Sequence, residues 1–393
     1  MKRTIRTLGI LSSLVITANA SAITFENSSH QMSAGDFTGN GENEVAYIKS
    51  TGAAGSIFVH HFGPTGNSMT LPGVTATQVI AANIDGVGKD ELVFIDGTTK
   101  QLRSFNFATN IITTHTAFAV HDVTAGQIDG DAQTELLIAL DPGTQMHFFD
   151  AVTNTLSPQI GGGGAAGNNV AANFNNNGLT DFAVRNGANN GSGSLFTLTD
   201  PYGSFGSLGG GLNRIATGNL DGNTDPADEV YLTNSGLALF THGITGPNNF
   251  YVQTTGAGTD PAIGHPENFG DGRDLAYIIG TNGQIFQGTT TWNLGSGATM
   301  TYTLLRTLAS NNASAIAGGN TLDFFDIMTA DIDGDGLDEL LGRKTTDGGQ
   351  GLFLFTNGTS SIILSQPNFI PEPATAALLM LGAPMLARRR RCA

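Results

Sequence analysis

The chain has 393 residues, 54 of them glycine, with 13% charged and 39% hydrophobic residues: enough apolar matter for a core, but unusually rich in turn formers. Acidic residues outnumber basic ones 33 to 17, and the net charge of −16 argues against a nucleic-acid or anionic-membrane partner and for cations. A single cysteine excludes a disulfide framework and a thiolate zinc cluster.

Residues 1–22 open with Lys2, Arg3 and Arg6, continue through an apolar run from Leu8 to Ile16, and end in small residues at Ala18, Ala20 and Ala22. That order is a secretory signal peptide and predicts export. The alternative, an N-terminal anchor, needs about 20 apolar residues.

A repeat fills residues 23–368. Its first copy offers Asp36, Thr38, Asn40 and Glu44. The second offers Asn83, Asp85 and Glu91, with Val87 unable to ligate through its side chain. The third offers Gln127, Asp129, Asp131 and Glu135, with Ala132 in place of a second glycine. The fourth has Asn173, Asn175, Asn177 and Asp181; the fifth, two residues longer, has Asn219, Asp221, Asn223 and Glu229. The sixth, counted from Asn268, keeps Asn268, Asp271 and Asp274. The seventh carries Asp331, Asp333, Asp335 and Glu339, with the carbonyl of Leu337 completing the set.

Acids or amides at positions one, three and five, glycines at four and six, and a carboxylate at nine converge oxygen ligands on one point, and the glycines permit the sharp reversal. Oxygen-only ligands select a hard cation, calcium above all. Carboxylate count ranks the seventh copy first, then the third and first, then the fifth, then the fourth and second, with the sixth empty. An Asx-type turn without metal is the alternative for the weaker copies.

Each loop follows an apolar residue and small ones, as in Met32-Ser33-Ala34-Gly35, and precedes a run apolar on both faces. These runs are Val45 to Ile48, Leu92 to Ile95, Leu136 to Leu140, Phe182 to Val184, Val230 to Leu232 and Leu275 to Ile279. Two further strands fit in most units, for example Ser56 to Phe62 with Ser68 to Leu71. Four short strands in each unit predict an all-β, seven-bladed propeller of four-stranded antiparallel blades, flanked by an N-terminal signal helix and a C-terminal hydrophobic helix. A linear array of cation-binding modules is the alternative. Trp292 to Asn320 read as an insertion on the sixth unit, and the runs Gly161 to Gly164 and Gly209 to Gly211 as loops between units.

With the seventh loop as its most specific match, the repeat resembles the FG-GAP or VCBS family, whose best-known member is the integrin alpha propeller. Pro371, Glu372 and Pro373 precede an apolar stretch and then Arg388, Arg389, Arg390 and Arg391, so that residues 369–393 resemble a PEP-CTERM sorting signal. That resemblance implies a processing partner of the exosortase type, transient membrane anchoring through the tail, and delivery to the cell surface or extracellular matrix. A plain tail anchor is the alternative.

The eight histidines are scattered with no metal-ligand pair spacing and no nucleophile elbow, so no catalytic residue is assigned. The reading is a calcium-binding, non-enzymatic adhesion or scaffold protein. Extracellular polysaccharide or surface proteins are the expected partners, with a lectin-like propeller or a polysaccharide-degrading enzyme as the other readings.

Overall fold

A computed structural model describes residues 31–50, 54–62, 68–141, 145–162, 170–173, 178–185, 193–197, 203–207, 212–220, 229–234, 237–241, 250–254, 258–265, 273–280, 285–293, 297–304, 324–344, 352–356 and 360–364. All regular structure among them is β-strand, and no helix there is long and apolar enough to cross a membrane. The expected terminal helices lie outside the described residues, as does most of the stretch from Trp292 to Asn320.

Seven strands make the first sheet: β1 (Met32–Gly35), β2 (Glu44–Ile48), β3 (Gly55–His60), β4 (Ser68–Ala82), β5 (Glu91–Asp96), β6 (Leu102–Asn106) and β7 (Ile111–Thr114). β4 joins two repeat units, because its start lies opposite β3 and its end opposite β5. The next sheet holds β8 (Val120–Gly126), β9 (Glu135–Leu140), β10 (Gln145–Asp150) and β11 (Thr155–Leu156). A fifth strand, β12 (Gly161–Gly162), also pairs with β10, so the start of the first glycine run is an edge strand and not a loop.

Four sheets of four strands follow. The first comprises β13 (Val170–Ala172), β14 (Asp181–Arg185), β15 (Gly193–Thr197) and β16 (Gly203–Ser207). Then come β17 (Leu212–Gly218), β18 (Glu229–Asn234), β19 (Leu237–Thr241) and β20 (Phe250–Thr254). The third contains β21 (Gly258–Gly264), β22 (Leu275–Gly280), β23 (Ile285–Asn293) and β24 (Gly297–Leu304), and the last β25 (Phe324–Ala330), β26 (Glu339–Lys344), β27 (Leu352–Thr356) and β28 (Ser360–Leu364). Trp292 thus sits in a long hairpin, paired with Ala298, and not in a loop insertion.

The runs read as doubly apolar strands form the second strand of each unit, and all residues of β2 and β5 are buried. A strand covered on both faces gains from consecutive apolar side chains, which explains the lack of alternation. The core is accordingly split into layers between neighbouring units. Phe37, Ile48, Val59, Leu92 and Phe94 fill the first such layer, and Val93, Ile95, Val123, Leu136 and Ile138 another. Met32, Val45 and Tyr47 of the first unit pack with Met328, Leu341 and Leu354 of the last.

The strands that open the units, β1, the end of β4, β8, β13, β17, β21 and β25, run as neighbours in that order, and β25 also meets β1. Small residues end them because these strands crowd together. A Cβ on Gly126 would stand 2.5 Å from Thr180 Cγ2 and 2.8 Å from Phe182 Cζ, and one on Gly264 would stand 2.5 Å from Thr329 Cβ. Gly126→Ala is expected to lower unfolding free energy by about 1–3 kcal/mol in urea titrations, whereas Gly41→Ala, open in space, tests left-handed strain alone.

Candidate functional site

Each loop leaves an opening strand and enters the second strand of its unit, and the register is the same in almost every copy. Gly35 lies opposite Glu44, Ala82 opposite Glu91, Gly126 opposite Glu135, Ala172 opposite Asp181, Gly218 opposite Glu229 and Ala330 opposite Glu339. In the sixth unit Gly264 lies opposite Leu275. The sixth loop therefore starts at His265 and not at Asn268, and its ninth place holds leucine, not the acid Asp274.

Positive φ angles fall where the loop reverses: Gly39 and Gly41, Gly86 and Gly88, Gly130, Gly178, Gly334 and Gly336. These are the fourth and sixth positions of the repeat, where a side chain would be strained. The turn is then tied by its own acids. Asp331 accepts from the N–H groups of Gly334 and Gly336, both at 2.8 Å, while Asp333 accepts from Asp335 and Asp335 from Leu337. In the first loop Asp36 likewise accepts from Asn40 at 3.0 Å and Gly41 at 2.9 Å. Gln127 plays that part in the third, accepting from Gly130.

The ninth-place acid reaches back under the turn. Glu339 accepts from the Ile332 N–H at 2.9 Å, Glu135 from Ile128 at 2.8 Å and Glu91 from Ile84 at 3.1 Å. Glu44 accepts instead from the Thr38 N–H and hydroxyl and lies 3.4 Å from His61 Nδ1. Burial, followed by the neighbouring aspartates, pushes Glu91, Glu135 and Glu339 up to about 7.

Among the described residues, two loops gather carboxylates tightly enough to hold a metal ion. Asp331, Asp333 and Asp335 offer ligand atoms within 4.8 Å of one another, as do Asp129, Asp131 and Glu135. Asp131 also accepts from Gln133 at 2.6 Å. The second loop brings Asp85 toward Glu91, but Asp85 binds the Val87 N–H and Glu91 the Asn106 amide. Asn173 and Asn219 stand half-buried at the starts of their loops. Asn175, Asn177, Asp221, Asn223, Pro371, Glu372, Pro373, Arg388, Arg389, Arg390 and Arg391 lie outside the described residues.

The residue before the ninth-place acid has a separate task. The Asp90 N–H donates to the Asp36 carbonyl while Asp90 Oδ2 accepts from the Asp36 N–H at 3.1 Å. Thr180 closes the same reciprocal pair on Gln127, Asp274 on Asn219, and Asp338 on His265. Thr134 N–H likewise donates to the Asn83 carbonyl. The first residue of one loop is thus clasped by the next unit. Sequence reasoning passed over this position, although a polar residue there in copy after copy was the signal. Burial raises Asp90 and Asp338 to about 6.

In the sixth loop His265 Nδ1 stands 2.9 Å from the Arg273 carbonyl and 3.4 Å from Asp274, which holds the imidazole above its usual pKa. A histidine thus occupies the first loop position, which carries an acid or amide in the other loops.

No known family matches the chain by sequence, and no curated protein matches it. In structure it is similar to BBS1N in its complex with ARL6DN, from a crystal soaked with lead, with a TM-score of 0.52 at 8% identity over 83% of this chain and 91% of that one. A mercury-soaked crystal of the same complex gives a TM-score of 0.51 at the same identity and coverage. At that identity the likeness shows the fold alone, a β-propeller.

Glu339 binds a proton in the folded state up to about pH 7, against 4.5 for the free group, so its contribution is complete at low pH and is lost as pH rises through that window. In chelator, Glu339→Gln is expected to be near neutral at about pH 5 and stabilising by on the order of 1 kcal/mol at about pH 7.5. Paired denaturation curves check this, and a constant difference across pH would contradict it.

Proposed function

We propose that this protein is an exported, calcium-binding, seven-bladed β-propeller with a non-enzymatic adhesion or scaffold role at the cell surface or in the extracellular matrix. The observation that carries the calcium reading is the paired clustering of oxygen ligands in the third and seventh loops, on turns whose backbone is held by glycines at φ angles between 77° and 87°. Oxygen donors alone, on a nine-residue turn, suit a calcium ion better than zinc or a redox metal.

Seven recurring loops with a shared strand register, and contact between β25 and β1, support a closed ring over a linear array. The sorting role rests on the Pro371-Glu372-Pro373 tripeptide and the four terminal arginines, which resemble a tag cut by an exosortase. Calcium then does the work that disulfides do in other exported domains, since the single cysteine, Cys392, falls in that tag. Buried carboxylates at the ninth position need a counter-charge at neutral pH, and the cation supplies it.

Isothermal titration with calcium is expected to show uptake at two or more sites, and Asp333→Asn with Asp335→Asn is expected to remove one while the third-loop site remains. Each occupied site contributes about 2.7 kcal/mol at a free concentration 100 times its Kd, so chelator lowers the melting temperature. A protein that takes up no calcium, or melts identically in chelator, overturns the assignment. A glycan array in calcium buffer separates a lectin from a protein scaffold.

A further inference from the structure

One junction between units differs from the rest in how it is made. The two sides of the β25–β1 seam are separated by hundreds of residues along the chain, whereas every other pair of neighbouring units is consecutive in sequence. Among the described residues no strand pairs across this seam, because β1–β7 and β25–β28 are separate sheets, whereas the first two units share one sheet through β4.

Side chains span it instead. Arg343, fully buried on β26, pairs with Asp326 on β25, its Nε at 3.0 Å and one terminal nitrogen at 2.7 Å from Oδ2. That same terminal nitrogen also donates across to the first unit, to Gln31 Oε1 at 2.9 Å, and the other terminal nitrogen donates to the Ile48 carbonyl. Those contacts bridge 312 and 295 residues of chain.

In the first three units the comparable place on the second strand is apolar: Ile48, Ile95 and Ala139. Asp326 lies opposite Arg343, but Gln78 lies opposite Ile95 and Asp122 opposite Ala139. There a neutral amide suffices: Gln78 donates to Asp122 Oδ1 at 2.5 Å and accepts from the Val123 N–H at 3.1 Å. At the loop end of the seam, the donor to the Asp331 carbonyl is the Asn43 side-chain amide, at 2.7 Å, where other units use a backbone N–H.

We infer that Arg343 is a latch that holds the first and last units together, and that the ring parts at the β25–β1 seam before any other junction. A planar guanidinium with donors on both sides can satisfy Asp326 in its own unit and two acceptors in the next one, which lysine cannot do. Bringing segments so distant in sequence together carries a loop-closure entropy, and a buried, charge-assisted set of bonds offsets it. The latch does not depend on any bound cation.

Hydrogen exchange on the full chain tests this through two variants. Gln31→Leu keeps the buried ion pair and removes one cross-seam acceptor; it is expected to speed exchange about tenfold in β2 and β25 while β9 keeps its protection. Arg343→Met is expected to extend the same local loss. Exchange that rises equally in β5, β9 and the seam, or does not rise in the seam, would overturn the latch. Should Arg343→Met fail to fold, the Gln31→Leu pattern alone decides.

Discussion

The molecule depends on one recurrent contact: the backbone N–H and carbonyl of the first loop residue held by the polar residue that enters the second strand of the next unit. Asp90 on Asp36, Thr180 on Gln127, Asp274 on Asn219 and Asp338 on His265 are four instances of it. Both groups of that first residue would be orphaned at the end of a strand, and a buried unpaired backbone group costs as much as a lost hydrogen bond. By satisfying them from the neighbour, each unit fixes the origin of a loop that it does not itself contain. The glycines that end β1, β8, β17 and β21 let the neighbour come close enough to do so.

From that fixed origin the loop's electrostatics follow. Carboxylates at its first, third and fifth positions are drawn inward because each caps an N–H further along the turn. The ninth-place glutamate is drawn in from the other side by an N–H near the loop's start. Burial, together with repulsion from the neighbouring aspartates, raises the affinity of Glu135 and Glu339 for a proton. The groups that tie the turn are thus the same ones that could hold a metal ion. The sixth loop differs, since Leu275 replaces the acid and His265 stands 3.4 Å from Asp274.

Much of the fold was legible because its signals are local. A doubly apolar run bounded by glycine-rich turns reads as a buried strand, and those from Val45, Leu92, Leu136 and Leu275 all lie in strands. Glycines at the fourth and sixth loop positions read as left-handed turns, and their φ angles agree. The sixth repeat resisted because its spacing is irregular: counting from an asparagine that suits the pattern placed the loop three residues late. Only strand pairing could say that Leu275, not Asp274, faces Gly264. Trp292 was misplaced for a similar reason, as extra length reads as a loop until the partner strand from Gly297 is seen.

What the sequence determined by itself was the unit: a turn whose acids and glycines cap one another within nine residues, followed by strands whose burial is written in their composition. These are interactions of residues close along the chain, so periodicity reveals them. Which polar residue clasps which neighbour, and how Arg343 meets Gln31, were decided by tertiary structure alone. Their energies arise between groups dozens to hundreds of residues apart, brought together only when units pack, and no local pattern encodes such a distance.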